Sequence, residues 1–253
     1  MRIAIVIPAR YASTRLPGKP LLRSTGKYLI QHVYEQASRS KLAQQVVVAT
    51  DDMRIEAAVK SFGGQVAMTR NDHVSGTDRI AEVGQQLDVD TIINVQGDEP
   101  LIDPNAIDNL ASLLMKDSEA QMATLAVPIK SDEVYRNPNC VKVVCDESGR
   151  ALYFSRSPIP MVRDGKPNFA AQPPQFLHHQ GIYAYRRKSL LEFAAMSPAP
   201  LEQLEKLEQL RVLSAGWRIQ VGVVSESFGG VDTFEDYEQF VRIYRYRIER
   251  MAA

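Results

Sequence analysis

Three short aliphatic runs alternate with helical patterns in the first part of the chain. The runs cover residues 3–7, 45–49 and 91–95, and the helical patterns cover residues 27–41, 53–62 and 77–87. Each run is almost continuously apolar, which is typical of a strand that is buried on both faces. Because parallel strands need crossover connections, the alternation predicts right-handed βαβ units and an α/β fold with a mainly parallel central sheet and helices on both faces.

The pattern changes near residue 122, where candidate strands become more closely spaced. Strands are predicted at 122–128, 141–145, 151–154, 181–185 and 218–224, helices at 201–213 and 234–249, and a Pro-rich loop at 158–174. We therefore predict one domain over residues 1–253. It has a nucleotide-binding core of about residues 1–121, a smaller insertion subdomain of about 122–233, and a closing helix at 234–253.

Charge and cysteine content narrow the possible partners and compartment. Thirty basic residues cancel thirty acidic ones, and nucleic-acid binders usually carry a basic excess, so no nucleic-acid partner is expected. The two cysteines, Cys140 and Cys145, form no CxxC pair, which makes a disulfide framework unexpected and a reducing compartment the default. The chain has no signal peptide pattern and no apolar stretch of membrane-spanning length. We expect a cytoplasmic protein.

Three cations share the loop that follows the first predicted strand, namely Arg10, Arg15 and Lys19. Ligands of parallel α/β sheets bind beyond the carboxyl ends of the strands, so these cations should converge with Asp51 and Asp98 from the next two strand ends. A triphosphate would relieve their mutual repulsion, because arginine grips phosphate oxygens bidentately and lysine adds a point charge. The loop matches neither the P-loop nor the GxGxxG pattern. A solvated basic loop is the alternative.

Two aspartates are the candidate metal ligands. Asp98 ends the third predicted strand, and Asp232 follows the last one. Mg²⁺ takes few protein carboxylates and completes its octahedron with phosphate oxygens and water. The alternative for Asp232 is a helix cap, because a predicted helix begins two residues later. Glu99 competes with Asp98, and Asp51 is as compatible with capping as with binding a ligand.

Seven sequence blocks, in order along nearly the whole chain, carry a resemblance to a known family. The first is Val-Ile-Pro-Ala-Arg-Tyr-Ala-Ser-Thr-Arg-Leu-Pro-Gly-Lys-Pro-Leu at 6–21, and the others lie at 68–79, 94–100, 151–156, 179–183, 207–213 and 230–233. These blocks resemble the sugar-activating nucleotidylyltransferases, and are most similar to the 3-deoxy-manno-octulosonate cytidylyltransferase (CMP-Kdo synthetase) family. The resemblance implies a glycosyltransferase-A-like nucleotidyltransferase fold, CTP as donor, Mg²⁺ (magnesium) as cofactor and a homodimer.

The resemblance also assigns roles to residues. It implies Lys19, Arg10 and Asp98 as catalytic residues, Asp98 and Asp232 as metal ligands, and a group of nucleotide-binding residues: Arg10, Arg15, Lys19, Ser75, Gly76, Thr77 and Gln96. The sugar pocket would comprise Arg156, His179, Tyr183, Glu208 and Gln209, with Arg156 as the partner of the sugar carboxylate. Glu208 has support from spacing, because it shares a predicted helical face with Leu201 and Leu204.

The expected reaction is attack by the anomeric C2 hydroxyl of a 3-deoxy-octulosonate on the α-phosphorus of CTP. It would give a CMP-sugar for lipopolysaccharide biosynthesis and release pyrophosphate. Kdo or a close analogue, such as 8-amino-Kdo, is the expected acceptor. The alternatives are a CMP-sialate-type synthetase, a glycosyltransferase on the same fold, and a non-catalytic nucleotide sensor.

Overall fold

The computed structural model describes residues 1–12, 15–227 and 229–252, which divide into two compact units. The N-terminal unit contains residues 2–108 together with the C-terminal segment that begins after residue 228. The central unit contains residues 109–227. Within the described part of the chain, no helix is long and apolar enough to cross a membrane. The prediction of one domain over the whole chain stays a prediction.

Four parallel strands, in the order β3-β2-β1-β4, form the sheet of the N-terminal unit. Their bounds are β1 Ile3–Ala9, β2 Gln45–Thr50, β3 Gln65–Met68 and β4 Thr91–Asn94. Ile5 is fully buried and lies in register with Val46 on one side and Ile93 on the other. The three strands predicted from aliphatic runs are confirmed. The short strand β3 was not predicted, because its apolar run is only three residues long, at 66–68.

Helices α1 Leu29–Ala37, α2 Met53–Ser61 and α3 Gly76–Gln86 confirm the three helical patterns. Local capping fixes where two of them begin. The Asp52 side chain accepts a hydrogen bond from the Arg54 N–H at the start of α2. Ser75 and Asp78 form a reciprocal capping box at the start of α3.

The closing helix, α9 Phe234–Ala252, begins at the predicted residue and extends beyond the helical pattern at 234–249, nearly to the end of the predicted closing segment. Its inward residues Tyr237, Phe240 and Val241 join a buried cluster with Leu16 and Leu29. Packing of this apolar face therefore holds the C-terminal helix against the loop that follows β1 and against α1.

The central unit is built on β5 Met122–Pro128, which pairs parallel with β9 Ile219–Val223 and antiparallel with β8 Leu177–Arg186. β6 Lys142–Cys145 pairs antiparallel with β7 Ala151–Ser155 and with β8. The helices are α4 Pro104–Lys116, in which the boundary between the units falls, α5 Asp132–Arg136, α6 Arg187–Ala195, α7 Pro200–Glu205 and α8 Gln209–Ser214. All five predicted strands of this region are present.

The prediction of one continuous helix over 201–213 is wrong. Lys206 adopts a left-handed backbone conformation, with φ of 54°, and this ends α7 before α8 begins at Gln209. Glu208 therefore does not share a helical face with Leu201 and Leu204. Leu204 is 81% exposed, so the predicted leucine stripe is also not a buried surface.

Candidate functional site

The loop after β1 is folded back on itself in a way that fixes Lys19. Gly18 adopts a left-handed conformation with φ of +69° and donates its N–H to the Tyr11 carbonyl at 3.1 Å. A Cβ at this position would lie 3.3 Å from the Tyr11 ring, so glycine suits both the dihedral angle and the close approach. Pro20 is the second residue of a short 3₁₀ turn, Lys19–Leu21, where its missing N–H costs no helical hydrogen bond.

The Lys19 ammonium contacts two carboxylates. Its Nζ donates to Asp98 Oδ2 at 2.6 Å and lies 3.5 Å from Asp232 Oδ1. A third bond, of 2.8 Å, goes to the carbonyl of Val231. The Lys19 side chain is only 13% exposed, whereas those of Asp98 and Asp232 are 31% and 47% exposed, so the ammonium is the shielded member of the cluster and the carboxylates stay open to solvent. The structure therefore brings together three predicted site residues from three separate segments.

Asp232 is available to Lys19 because other residues cap α9. Asp236 Oδ2 accepts the N–H groups of Asp232 and Thr233 at 3.0 and 2.8 Å, and Thr233 Oγ1 accepts the N–H of Asp236. The carboxylate of Asp232 instead accepts a bond of 2.9 Å from Arg15 Nη2. The capping interpretation of the Asp232 side chain is thus not what the structure shows.

The backbone around Asp98 is tightly constrained. A Cβ at Gly97 would lie 2.7 Å from the Pro8 carbonyl oxygen, so only glycine lets the β4 loop approach β1 this closely. The Val231 N–H donates to the Asp98 carbonyl at 2.8 Å, which ties this loop to the segment that carries Asp232. The position of Asp98 is therefore set by the backbone on both sides.

Glu99 differs from Asp98 although the two are adjacent. Its Oε2 atom is buried without a hydrogen-bond partner among the described residues, although the residue as a whole is partly exposed. Burial, and then the charge of Asp98, raises the pKa of Glu99 to about 8. A carboxyl with this pKa is largely neutral at pH 7, so Glu99 differs in charge from a solvated glutamate.

Arg10 lines a polar cavity of about 330 Å³ in the N-terminal unit. The lining residues are Arg10, Tyr11, Ala12, Asp51, Asp52, Arg54, Asn71, His73 and Arg79. Arg10 Nη1 donates to the Val74 carbonyl at 3.3 Å, whereas its Nη2 is buried and finds no partner within the described part of the chain. A buried guanidinium nitrogen without an acceptor favours an anionic or carbonyl-bearing ligand at this position.

The other predicted nucleotide-binding residues of this unit make contacts within the protein that bear on whether they can bind a ligand. The Ser75 hydroxyl is used in the capping box of α3, and Thr77 is buried. Gln96 is partly exposed, and its carbonyl accepts the Glu99 N–H. A Cβ at Gly76 would make only ordinary contact with Pro8, at 3.5 Å, so packing does not require glycine at this position.

Among the described residues, Asp51 pairs with Arg79 and not with the Lys19 cluster. It accepts a 2.9 Å bond from Arg79 Nη2, and Arg79 also donates to Thr69 Oγ1. The Arg79 side chain is 1% exposed and that of Asp51 is 22% exposed, so this is a largely buried ion pair in the wall of the cavity. The predicted convergence of all five charged groups is therefore only partial: Arg15, Lys19 and Asp98 share the cluster with Asp232, while Arg10 and Asp51 line the cavity.

Two of the predicted sugar-pocket residues, His179 and Tyr183, are side chains of the central unit whose pKa values are shifted. The first is His179, whose Nε2 lies 2.9 Å from Thr124 Oγ1 and whose ring lies edge-on to Phe154. Burial, with a smaller effect of the neighbouring His178, lowers its pKa to about 3, so this imidazole is neutral at pH 7. Burial and then the charge of Glu208 raise the pKa of the Tyr183 phenol, which stays protonated.

Gln209 is 3% exposed, and its Nε2 is buried without an acceptor among the residues that the structure describes. This amide donor is suited to a hydroxyl or carboxylate of a ligand. With the neutral imidazole of His179 and the phenol of Tyr183, it forms a set of uncharged polar groups that sugar hydroxyls commonly meet.

Arg156 is already engaged by the protein. Its guanidinium donates to the carbonyls of Glu205 and Pro138 at 2.7 and 3.0 Å, and one nitrogen lies 3.5 Å from the Lys206 carbonyl. Its role as the partner of the sugar carboxylate stays a prediction.

Two charged residues of the central unit were missed by the sequence reasoning. Lys142 is fully buried, and its Nζ donates to the carbonyls of Asn137 and Arg156. Glu205 accepts bonds from Ser155 and Arg156. A lysine within the apolar run 141–144 is the signal that could have identified the first. Glu205 has no such signal, since it is one of several glutamates in its segment.

The donor chemistry of the Lys19 cluster is compatible with a hard divalent cation. Asp98 and Asp232 both present oxygens to the Lys19 ammonium, which shows that the two carboxylates can serve one cation. No group of three or more histidine, cysteine or acidic side chains with metal-binding geometry occurs in residues 1–12, 15–227 and 229–252. Two carboxylates nevertheless suit Mg²⁺ when phosphate oxygens and water complete the shell.

Comparison with known proteins identifies the family. A sequence profile described as cytidylyltransferase matches residues 4–219, which is well over half of the chain. The chain belongs to the cytidylyltransferase family. The family predicted from the seven sequence blocks is therefore confirmed.

Relatives of this cytidylyltransferase are similar over nearly their whole length. The 3-deoxy-manno-octulosonate cytidylyltransferase of Syntrophobacter fumaroxidans is 51% identical over 246 residues, covering 96% of this chain and 97% of that protein. The protein of the same name from Geobacter metallireducens is 50% identical over 254 residues, covering 98% and 100%.

Solved structures confirm the fold of the cytidylyltransferase. A CMP:2-keto-3-deoxy-manno-octonic acid synthetase complexed with CTP superposes with a TM-score of 0.91 at 45% identity, covering 98% of this chain and 100% of that one. A 4-diphosphocytidyl-2C-methyl-D-erythritol synthase from Anaerococcus prevotii, at 15% identity, shares the fold with a TM-score of 0.61 and coverage of 97% and 96%. The predicted α/β nucleotidyltransferase fold is confirmed.

Proposed function

We propose that this cytidylyltransferase transfers CMP from CTP to the anomeric hydroxyl of 3-deoxy-manno-octulosonate (Kdo), giving CMP-Kdo and pyrophosphate. The observation that carries the proposal is the Lys19 ammonium held between Asp98 and Asp232, in a chain about half identical to proteins of that name. A CMP-sialate synthetase or a glycosyltransferase is not favoured, since the named relatives are Kdo cytidylyltransferases.

The cationic residues of the N-terminal unit would bind the triphosphate. In the reaction a C2–O–Pα bond forms and the bond from Pα to the β-phosphate oxygen breaks, so negative charge builds on pyrophosphate. Lys19 and Arg15 would neutralise this charge, and Arg10 would use its unpartnered Nη2 for the nucleotide. Positioning and charge stabilisation account for most catalysis of phosphoryl and nucleotidyl transfer.

Asp98 and Asp232 would hold Mg²⁺. When bound, the ion would screen phosphate charge and lower the pKa of the attacking hydroxyl. The ion would compete with Lys19 for the two carboxylates, and Lys19 would then be free to move its ammonium toward a phosphate oxygen.

The sugar acid would bind to the uncharged polar groups of the central unit. Neutral His179 and the Gln209 amide would contact hydroxyls, with Tyr183 and Glu208 beside them. Arg156 would bind the carboxylate of the sugar if one of its guanidinium nitrogens left a backbone carbonyl and donated its hydrogen bond to that carboxylate instead. An amino-substituted Kdo could use the same pocket, and comparing the two acceptors would determine the preference.

We further propose a homodimer that works in the cytoplasm and supplies CMP-Kdo for lipopolysaccharide biosynthesis. Support for the compartment comes from the cysteines: Cys140 and Cys145 are free thiols, and burial raises the pKa of Cys145 to about 11. Light scattering coupled to size exclusion would measure the oligomeric state directly, and a mass of one chain would refute the dimer.

The test of the reaction is pyrophosphate release by the purified chain with CTP, Kdo and Mg²⁺. We expect turnover that requires all three components and a product with the mass of CMP-Kdo. Absence of turnover with Kdo, combined with turnover of sialate or use of a nucleotide sugar, would overturn the proposal.

A further inference from the structure

We propose that Glu205 is a positioning residue that holds together the two segments of the sugar pocket in the central unit. This inference rests on the proposed function, because it names how the Kdo-binding residues are kept in place. One segment is the end of β7, which carries Arg156. The other is the turn between α7 and α8, which carries Glu208 and Gln209.

The Glu205 carboxylate binds the end of β7 with both oxygens. Oε1 accepts the Ser155 hydroxyl at 2.6 Å, and Oε2 accepts the Arg156 N–H at 2.9 Å. The Glu205 carbonyl also accepts the Arg156 Nε–H at 2.7 Å. Three hydrogen bonds therefore join one residue of the turn to two successive residues of the strand end.

Glu205 stands where the helix direction changes. It is the last residue of α7, and Lys206, which follows it, has a left-handed backbone. The turn closes with a bond from the Leu207 N–H to the Glu202 carbonyl, and α8 begins at Gln209. The position of the Gln209 side chain consequently depends on how the turn is held, and Glu205 is the residue that ties the turn to β7.

Lys142 supports the same strand end from the other side. Its Nζ donates to the Arg156 carbonyl at 2.6 Å and to the Asn137 carbonyl at 2.9 Å. The backbone of Arg156 is thus fixed at its N–H by Glu205 and at its carbonyl by Lys142. Lys142 is fully buried and Glu205 is half-buried, and hydrogen bonds to such charged groups are costly to break.

The hydrogen bonds of Glu205 and Lys142 would help to position the side-chain amide of Gln209. Gln209 is nearly fully buried, yet its amide nitrogen has no acceptor among the described residues. A donor left open in this way needs a fixed backbone to meet a ligand at hydrogen-bond distance. Small displacements of such groups reduce catalytic efficiency strongly.

The experiment compares Glu205→Ala with Glu205→Gln, using Glu192→Ala as the matched control. Glu192 lies on α6 of the same unit and is exposed, with only a long contact to Lys188. We expect Glu205→Ala to raise the KM for Kdo about tenfold or more, with the KM for CTP unchanged. Glu205→Gln should restore most of this loss, because the amide can still accept from Arg156 and donate to Ser155 Oγ.

Hydrogen exchange supplies a second readout that does not depend on activity. The Arg156 amide should exchange faster in Glu205→Ala than in Glu205→Gln or Glu192→Ala. If Glu205→Ala does not fold, Ser155→Ala replaces it, and a smaller rise in the KM for Kdo is expected. Equal KM values for Kdo in wild type and in the variant that folds would overturn the inference. Failure of the wild-type chain to use Kdo at all would instead refute the proposed function.

Discussion

At the residue scale, the sequence identified the charged groups but not how they pair. Arg10, Arg15 and Lys19 were grouped because they share one loop, and the structure separates them. Lys19 and Arg15 contact acidic side chains from distant segments, whereas Arg10 lines the polar cavity. These pairings could not be read from the sequence, because they depend on the left-handed Gly18 and on the approach of Gly97 to β1.

Replacing Lys19 tests its role in the reaction. Lys19→Met keeps the length of the side chain and removes the charge that would stabilise the leaving pyrophosphate. We expect kcat to fall by about 100-fold or more, as for loss of a preorganised donor in other enzymes, with the KM for Kdo nearly unchanged. Steady-state pyrophosphate release measures both constants.

Lys60→Met is the matched control, because Lys60 lies on the surface of the same unit and pairs only with Glu56 four residues earlier. It should retain full activity. Retained turnover in Lys19→Met would refute the assignment of Lys19 to the phosphate site.

At the element scale, the strands and most helices followed from hydrophobic periodicity, and the exceptions have local causes. The predicted helix over 201–213 breaks at Lys206. This residue has a left-handed backbone, but no glycine or proline is present there to indicate a helix end. The apolar run of β3 is only three residues long. The helix caps at Asp52 and Ser75, in contrast, are visible as ordinary sequence signals.

Two aspartates near the start of α9, Asp232 and Asp236, have different roles, so replacing one should affect activity and replacing the other should affect stability. Asp236 accepts two backbone N–H groups at the helix start, so Asp236→Ala should lower the free energy of unfolding by about 1 kcal/mol. Asp232→Ala should change stability little and abolish most turnover. Urea unfolding and pyrophosphate release on both variants check this, and the reverse pattern would make Asp232 the capping residue.

The packing of α1 against α9 predicts a dependence of stability on pH. His32 lies edge-on to Phe240 and Tyr244, and its Nε2 lies 2.7 Å from Thr25 Oγ1. Burial is the main cause that lowers its pKa from 6.5 to about 4. As the pH falls from 6.5 towards 4, His32 is protonated in the unfolded chain but still neutral in the folded one. The free energy of unfolding therefore decreases through that window.

From pH 7 to pH 5 this histidine should contribute a loss of about 2 kcal/mol. His32→Gln removes the titrating group, so the difference in unfolding free energy between wild type and variant should shrink by that amount at pH 5. Urea unfolding at the two pH values measures it. A difference that is the same at both values would show that His32 titrates alike in the folded and unfolded chain.

At the scale of the whole molecule, alternating strands and helices predicted the fold class, and seven sequence blocks predicted the family. Both are confirmed by the family profile and by the solved structures. The choice of Kdo over related sugar acids could not be derived from physical reasoning on the sequence. In the proposed function it depends on where uncharged groups such as His179 and Gln209 lie. His179 is placed by β8, whereas Gln209 follows the turn at Lys206.

The central claim is that Asp98 and Asp232 together bind the metal that accompanies CTP beside Lys19. Calorimetric titration of CTP, with and without Mg²⁺, into wild type, Asp98→Asn and Asp232→Asn tests it most directly. We predict that Mg²⁺ tightens CTP binding to the wild type and that this gain is lost in both variants. An equal gain from Mg²⁺ in all three proteins would contradict the account.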